Sequence, residues 1–63
     1  MRYENIIKRI NDFFDVDTYG EKAKIYVEHC IRDFDLWKKT FPQDCDTLNL
    51  HRAILSTISV FGL

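Results

Sequence analysis

The sequence predicts an all-α domain in which a long central helix is flanked by an N-terminal amphipathic helix and an apolar C-terminal helix, and in which a second copy completes the fold. Three observations support this small three-helix domain. The first segment repeats apolar residues at helical steps, the central segment keeps a regular 4-3-4 spacing, and the last segment is apolar on almost every side. With 63 residues, the chain has room for a single domain, residues 1–63.

The N-terminal helix is predicted to run from Arg2 to Phe14. Its polar side carries both acidic and basic residues, whereas a helix that lies on a membrane surface has an excess of Lys and Arg. We therefore expect it to pack on the central helix, with no membrane partner. Its apolar stripe consists of Tyr3, Ile6, Ile7, Ile10, Phe13 and Phe14.

The central helix is predicted from Thr18 to Phe41. Thr18 and Glu21 have the spacing of a capping box, in which each side chain accepts a hydrogen bond from a free backbone N–H at the start of a helix. Pro42 is expected to end the helix, because the residue before a proline is pushed out of the α region. The predicted core stripe is Ala23, Val27, Cys30, Phe34, Trp37 and Phe41.

The opposite face of the central helix has an unusual composition. Ile25, His29, Arg32 and Leu36 share this face, where an ordinary solvent-facing surface would carry Lys and Glu. Apolar side chains beside an Arg and a His are typical of binding surfaces, so we predict that these four residues contact a partner protein. In the alternative interpretation, Ile25 and Leu36 are isolated exposed aliphatic residues, which are common.

The C-terminal helix is predicted from Leu48 to Phe61, and Gly62 is a typical helix stop. The alternative is a β-strand over residues 54–61, where β-branched residues alternate with serine. A helix that is apolar almost all round must be buried on several sides, which indicates a homodimer interface or a docked partner. The residues predicted to form that interface are Leu50, Ile54, Ile58 and Phe61.

Residues capable of metal binding or nucleophilic catalysis are present but poorly spaced. His29, Cys30, Cys45 and His51 include no C-x-x-C or H-x-x-x-H pair. A catalytic Cys45–His51 pair would lack an orienting third group, and the chain has no glycine-rich loop that could hold a phosphate. We therefore expect no enzyme activity, no cofactor and no metal.

Composition and charge narrow the choice of partners. The formal net charge is −1 and the isoelectric point is about 6.0, so no strong field attracts nucleic acid. Hydrophobic residues make up 46% of the chain, more than a domain of this size readily buries, and self-association would cover the excess. The start of the chain lacks an uninterrupted apolar signal segment, and two cysteines are too few for a disulfide framework, so we expect a cytoplasmic protein.

These observations lead to a functional hypothesis. The sequence favours a small stoichiometric regulator or inhibitor, of the kind frequent in bacteria and phages, that occupies the surface of a partner protein. The alternative is a small helix-turn-helix DNA-binding regulator whose recognition helix would be the C-terminal one. That helix offers few polar residues to read bases, and the basic residues of the chain are interleaved with acidic ones.

Overall fold

The computed structural model describes residues 2–63, and these residues are all-helical, with no β-strand among them. The predicted all-α class is therefore confirmed. The three-helix description is not confirmed as made, because the helical residues are divided into four α-helices and one 3-10 turn. These elements are α1 (Tyr3–Phe13), α2 (Val16–Tyr19), the 3-10 turn (Gly20–Lys22), α3 (Ala23–Thr40) and α4 (Asp46–Phe61).

The predicted capping box at Thr18 and Glu21 is wrong. The cap is Asp15, whose Oδ2 accepts hydrogen bonds from the backbone N–H of Thr18 at 3.0 Å and from its hydroxyl at 3.1 Å. This cap starts α2, and Gly20 then interrupts the helix with a φ of 64°, a conformation that side chains with a Cβ disfavour. The central helix therefore begins at Ala23 instead of Thr18, and the segment before it forms a corner.

The other helix ends agree with the sequence signals. α3 ends at Thr40, two residues before Pro42. Residues 54–61 are helical, so the strand alternative is wrong, and α4 starts two residues earlier than predicted, at Asp46. Gly62 caps α4 in the left-handed conformation, with φ 68° and ψ 35°.

α3 lies between the two other long helices. Tyr3 and Phe14, at opposite ends of the α1 segment, pack on Phe34 and Tyr26 of α3, with ring centroids 6.3 and 5.9 Å apart, so α1 and α3 are antiparallel. α4 is also antiparallel to α3, because Lys38 pairs with Asp46 near one end and Tyr26 packs on Phe61 near the other. α1 and α4 consequently run in the same direction, and both pack mainly on α3 and only slightly on each other.

The core lies along the side of α3 that faces these two helices. α1 supplies two of its members, the residue that follows α1 one, α3 three and α4 two, and all are at most 8% exposed. The core residues are Ile6, Ile10, Phe14, Tyr26, Cys30, Phe34, Leu50 and Ala53.

Arg52 stabilises the loop that connects α3 to α4. Its Nη1 donates hydrogen bonds to Asp44 Oδ2 at 2.7 Å and to Asn49 Oδ1 at 2.9 Å, and its guanidinium carbon lies 4.1 Å from the centroid of the Phe41 ring. Asn49 is fully buried and donates to the carbonyl oxygen of Phe41 at 3.1 Å. Arg52 thus joins the connecting loop, the end of α3 and the start of α4 through charge-assisted hydrogen bonds and a cation–π contact.

We expect Arg52→Ala to lower the free energy of unfolding by about 1–3 kcal/mol, because it removes two charge-assisted hydrogen bonds and leaves the buried Asn49 with an unsatisfied oxygen. Denaturant unfolding followed by circular dichroism, at one fixed protein concentration, measures this loss. Arg32→Ala is the matched control, since Arg32 is exposed and forms no ion pair within residues 2–63, and it should change stability by less than about 0.5 kcal/mol. Equal losses in the two variants would contradict the role of Arg52.

Candidate protein-binding surfaces

Three of the four residues predicted to bind a partner lie on the exposed side of α3. Ile25 and Leu36 are 53% and 54% exposed, and Arg32 is exposed between them. The guanidinium of Arg32 makes no ion pair or hydrogen bond with any residue in the range 2–63. We call Ile25, Arg32 and Leu36 the α3 outer face. It combines two large aliphatic side chains with a charge that is free to pair with another molecule.

His29, the fourth residue of the predicted set, is turned toward α4. Its Nδ1 lies 3.2 Å from the hydroxyl oxygen of Thr57 and 3.4 Å from Oδ2 of Asp33, and its ring packs edge-on against Phe61. The Thr57 hydroxyl donates its own proton to the carbonyl oxygen of Ala53 at 2.9 Å, so its oxygen can accept a hydrogen bond from an N–H at Nδ1 of His29. His29 therefore connects α3 to α4 through its contacts with Thr57 and Phe61.

A second apolar surface lies between α1 and α4. Because these two helices pack on α3 more than on each other, they leave an open groove of about 630 Å³ between them. Leu50 forms part of its lining and is only 5% exposed, whereas Phe13 and Leu55 are 44% and 59% exposed. We call this surface the α1–α4 groove. Its apolar lining is Phe13, Leu50, Ile54, Leu55 and Ile58, and Arg9, Asp12, Thr47 and His51 contribute polar groups.

The predicted dimer-interface residues lie partly along this groove and partly against α3. Leu50, Ile54 and Ile58 line the groove, but Leu50 belongs to the core, and Ile54 and Ile58 pack against it. Phe61 packs on Tyr26 and His29 of α3, with ring centroids 4.9 and 5.2 Å apart. Three of the four predicted residues therefore border the α1–α4 groove, and the fourth, Phe61, packs on α3 and is 36% exposed.

Sequence patterns did not identify two features of these surfaces. Phe13 and Phe14 were assigned to one stripe, but Phe14 is buried and Phe13 borders the groove. The signal was present, because Ile6, Ile10 and Phe14 follow at four-residue steps and Phe13 lies about 100° away from Phe14. The burial of Asn49 and Thr57 had no sequence signal, since both residue types are usually exposed.

The two cysteines occupy different environments. Cys30 is fully buried in the core, and burial raises the pKa of its thiol to about 11, although a hydrogen bond with Thr57 acts in the opposite direction. Cys45 is exposed, just before α4. Within residues 2–63, no group of three or more His, Cys, Asp or Glu side chains is placed to hold a metal ion.

Comparison of the chain with protein-family models, with curated proteins and with solved structures gives no match. Among the described helices, none combines the length and the apolar character needed to cross a membrane.

We expect one fast-reacting and one protected thiol in the folded protein. A thiol reagent such as 5,5′-dithiobis(2-nitrobenzoic acid) at pH 8 should modify Cys45 quickly and Cys30 only after denaturant is added, because the thiolate is the reactive species and Cys30 stays protonated and buried. Cys45→Ser should remove the fast phase and leave only the reaction of Cys30 that follows the addition of denaturant. Two thiols that react at the same rate in the native protein would contradict this assignment.

Stability should fall as the pH rises from about 9 to about 11. In this interval the raised pKa keeps the Cys30 thiol protonated in the folded state, whereas in the unfolded state the thiol loses its proton above its ordinary value of 9.0. The folded state then binds more protons than the unfolded state, so higher pH favours unfolding. Denaturant unfolding at several pH values should show that the free energy of unfolding declines less steeply with pH in Cys30→Ala than in the wild type. Parallel declines in the two proteins would contradict the role of the Cys30 thiol.

Proposed function

We propose that this chain is a small stoichiometric protein-binding regulator or inhibitor that acts as a homodimer and occupies the surface of a partner protein. One observation carries the proposal. Within residues 2–63, eleven large hydrophobic side chains remain at least 36% exposed after the core is complete. Two of them, Phe13 and Leu55, lie together on the lining of the α1–α4 groove, and exposed apolar patches are typical of proteins that bind other proteins.

An expanded fold does not account for this exposure. The accessible surface is 4454 Å² for residues that belong to a 7.6 kDa chain, and a compact monomer of that mass is expected to have about 4,300 Å². The molecule is therefore about as compact as a monomer of this mass is expected to be. Further burial of apolar surface requires another molecule.

The α3 outer face is the surface proposed for the partner. Ile25 and Leu36 are eleven residues apart, which corresponds to about 16 Å along a helix, and Arg32 lies between them. Because the guanidinium of Arg32 has no acidic neighbour within hydrogen-bonding distance in residues 2–63, a matching partner would present an apolar patch with a carboxylate opposite it. His29 supports this face by holding α3 against α4.

A helix-turn-helix DNA-binding regulator remains the second candidate function, because no observation favours it. The two helices of that motif cross at about 90–120°. Here α3 and α4 run antiparallel, with contacts from Lys38–Asp46 to Tyr26–Phe61. Such a hairpin does not project one helix away from the other for insertion into a DNA groove.

We expect the double variant Arg32→Glu, Leu36→Glu to lose the protein partner. The chain is used as bait in an extract of its source cells, the captured protein is identified and purified, and the binary complex is measured by calorimetry and light scattering. The proposal requires a complex of fixed stoichiometry whose dissociation constant rises at least about tenfold in the double variant, because a charge reversal and a buried carboxylate oppose binding.

The matched control is Val16→Glu, Lys24→Glu. It changes one aliphatic and one basic residue in the same way at exposed positions on a different side of the molecule, beside the corner between α1 and α3. The control should bind the purified partner as the wild type does. Equal binding by both double variants, or the absence of any partner that binds in stoichiometric amounts, would overturn the proposal.

A further inference from the structure

The α1–α4 groove lies on a side of the molecule where the fold is open. α3 closes one side of the core, but α1 and α4 make few contacts across the other side and leave the apolar groove between them. The groove follows α4 from Thr47 to Ile58, twelve residues or about 17 Å of helix. This length accommodates several turns of another helix.

We propose that a second copy of this chain occupies the α1–α4 groove, so that the groove is the two-fold interface of the homodimer. The inference rests on the dimeric state proposed above and adds the surface and the arrangement of the two copies. In it, Phe13 and Leu55 of each copy enter the groove of the other. Three properties of the surface favour a second copy over an unrelated helix.

The first property is self-complementary shape. In a two-fold interface the same patch is used by both copies, so it must provide both the protruding side chains and the depressions that receive them. The α1–α4 groove meets this condition, because Phe13 and Leu55 on its lining are half-exposed whereas Leu50, also on its lining, is buried.

The second property is self-complementary charge. Arg9 and Asp12 belong to the groove and lie three residues apart on α1. If the two α1 helices pair antiparallel about an axis between these positions, Arg9 of each copy lies opposite Asp12 of the other. Arg9 makes no ion pair with any residue from 2 to 63, whereas Asp12 accepts from Lys8 at 2.9 Å and has a second oxygen for another donor. A groove with charges of one sign would repel its own copy.

The third property is area. A stable interface of standard size removes roughly 800 Å² from each partner. α4 has 16 residues, so it is about 24 Å long, and with α1 about 10 Å to its side it forms a face of roughly 24 by 20 Å in projection. The accessible area of such a ridged face exceeds its projection of about 480 Å², and an interface at the lower end of the standard size needs about 600 Å² from each partner.

The first test is the molar mass of the full chain by sedimentation equilibrium or light scattering from micromolar to about 100 µM. The wild type should approach twice the mass of the 7.6 kDa chain. Leu55→Glu should raise the dimer dissociation constant about 100-fold or more, since it replaces an apolar contact with a buried carboxylate. Leu36→Glu makes the same change on the α3 outer face and should leave the dimer intact, even if it abolishes binding of the protein partner.

The second test addresses the arrangement of the copies and does not depend on the behaviour of Leu55→Glu. Arg9→Glu and Asp12→Arg should each weaken the dimer, by about fivefold to tenfold, because like charges then face each other. The variant that carries both changes should recover wild-type dimer affinity, since opposite charges face each other again. A merely structural role of either side chain would give additive losses without recovery.

Several outcomes would overturn the inference. One is a wild type that stays monomeric at 100 µM. Another is a dimer that Leu36→Glu weakens while Leu55→Glu leaves it unchanged, which would place the interface on the α3 outer face. A monomeric wild type whose purified partner is lost in Leu55→Glu would assign the groove to a foreign protein. It would remove the homodimer from the proposed function and leave the binding of a partner protein standing. A dimer that persists when the partner is lost in Leu36→Glu supports both proposals.

Discussion

The packing of α3 against two helices at once is the interaction on which the rest of the structure depends. Cys30 and Phe34 are almost completely buried, and they belong to the same cluster as Ile10 from α1 and Ala53 from α4. Since α1 and α4 make little contact with each other, neither would keep its position without α3. This arrangement also accounts for the groove, because two helices that share a third helix as their support leave a gap where they face each other.

Polar groups inside the molecule determine how α4 is placed on α3. Asn49 and Thr57 are fully buried, eight residues apart on α4, and each is bonded to a group at the α3 side: Asn49 to the Phe41 carbonyl and Thr57 to His29. A shift of α4 along α3 would break both bonds and leave buried polar groups unsatisfied, which costs about 1–3 kcal/mol for each group. Apolar packing alone tolerates such shifts better, so these two residues specify one register.

The sequence predicts the helical class, the end of α3 before Pro42 and the cap at Gly62, because each depends on local periodicity or on the conformational limits of Pro and Gly. Of the predicted core stripe of α3, Ala23, Cys30 and Phe34 are buried, whereas Phe41 at its end is 39% exposed. The sequence did not reveal the corner at Gly20, since Asp15 and Thr18 are both good cap residues and only the fold decides between them. The orientation of the His29 side chain could not be predicted from the sequence either. A helical wheel places it with Ile25 and Leu36, but it lies near the boundary of that face, and the position of α4 decides where its ring packs.

Unequal anchoring of the helices has a consequence for local unfolding. α1 contributes Ile6 and Ile10 to the core, with Phe14 at its C-terminal end, whereas α3 and α4 are joined by the Arg52 cluster, two buried polar residues and the aromatic contacts of Phe61. The α3–α4 hairpin is therefore the more cooperative unit, and α1 is the segment whose detachment requires the least free energy. α1 also forms one wall of the α1–α4 groove. A molecule bound in this groove would therefore bind more tightly to the state in which α1 is folded. Occupation of the groove would suppress opening of this helix, and amide hydrogen exchange in α1 would slow more than in the hairpin.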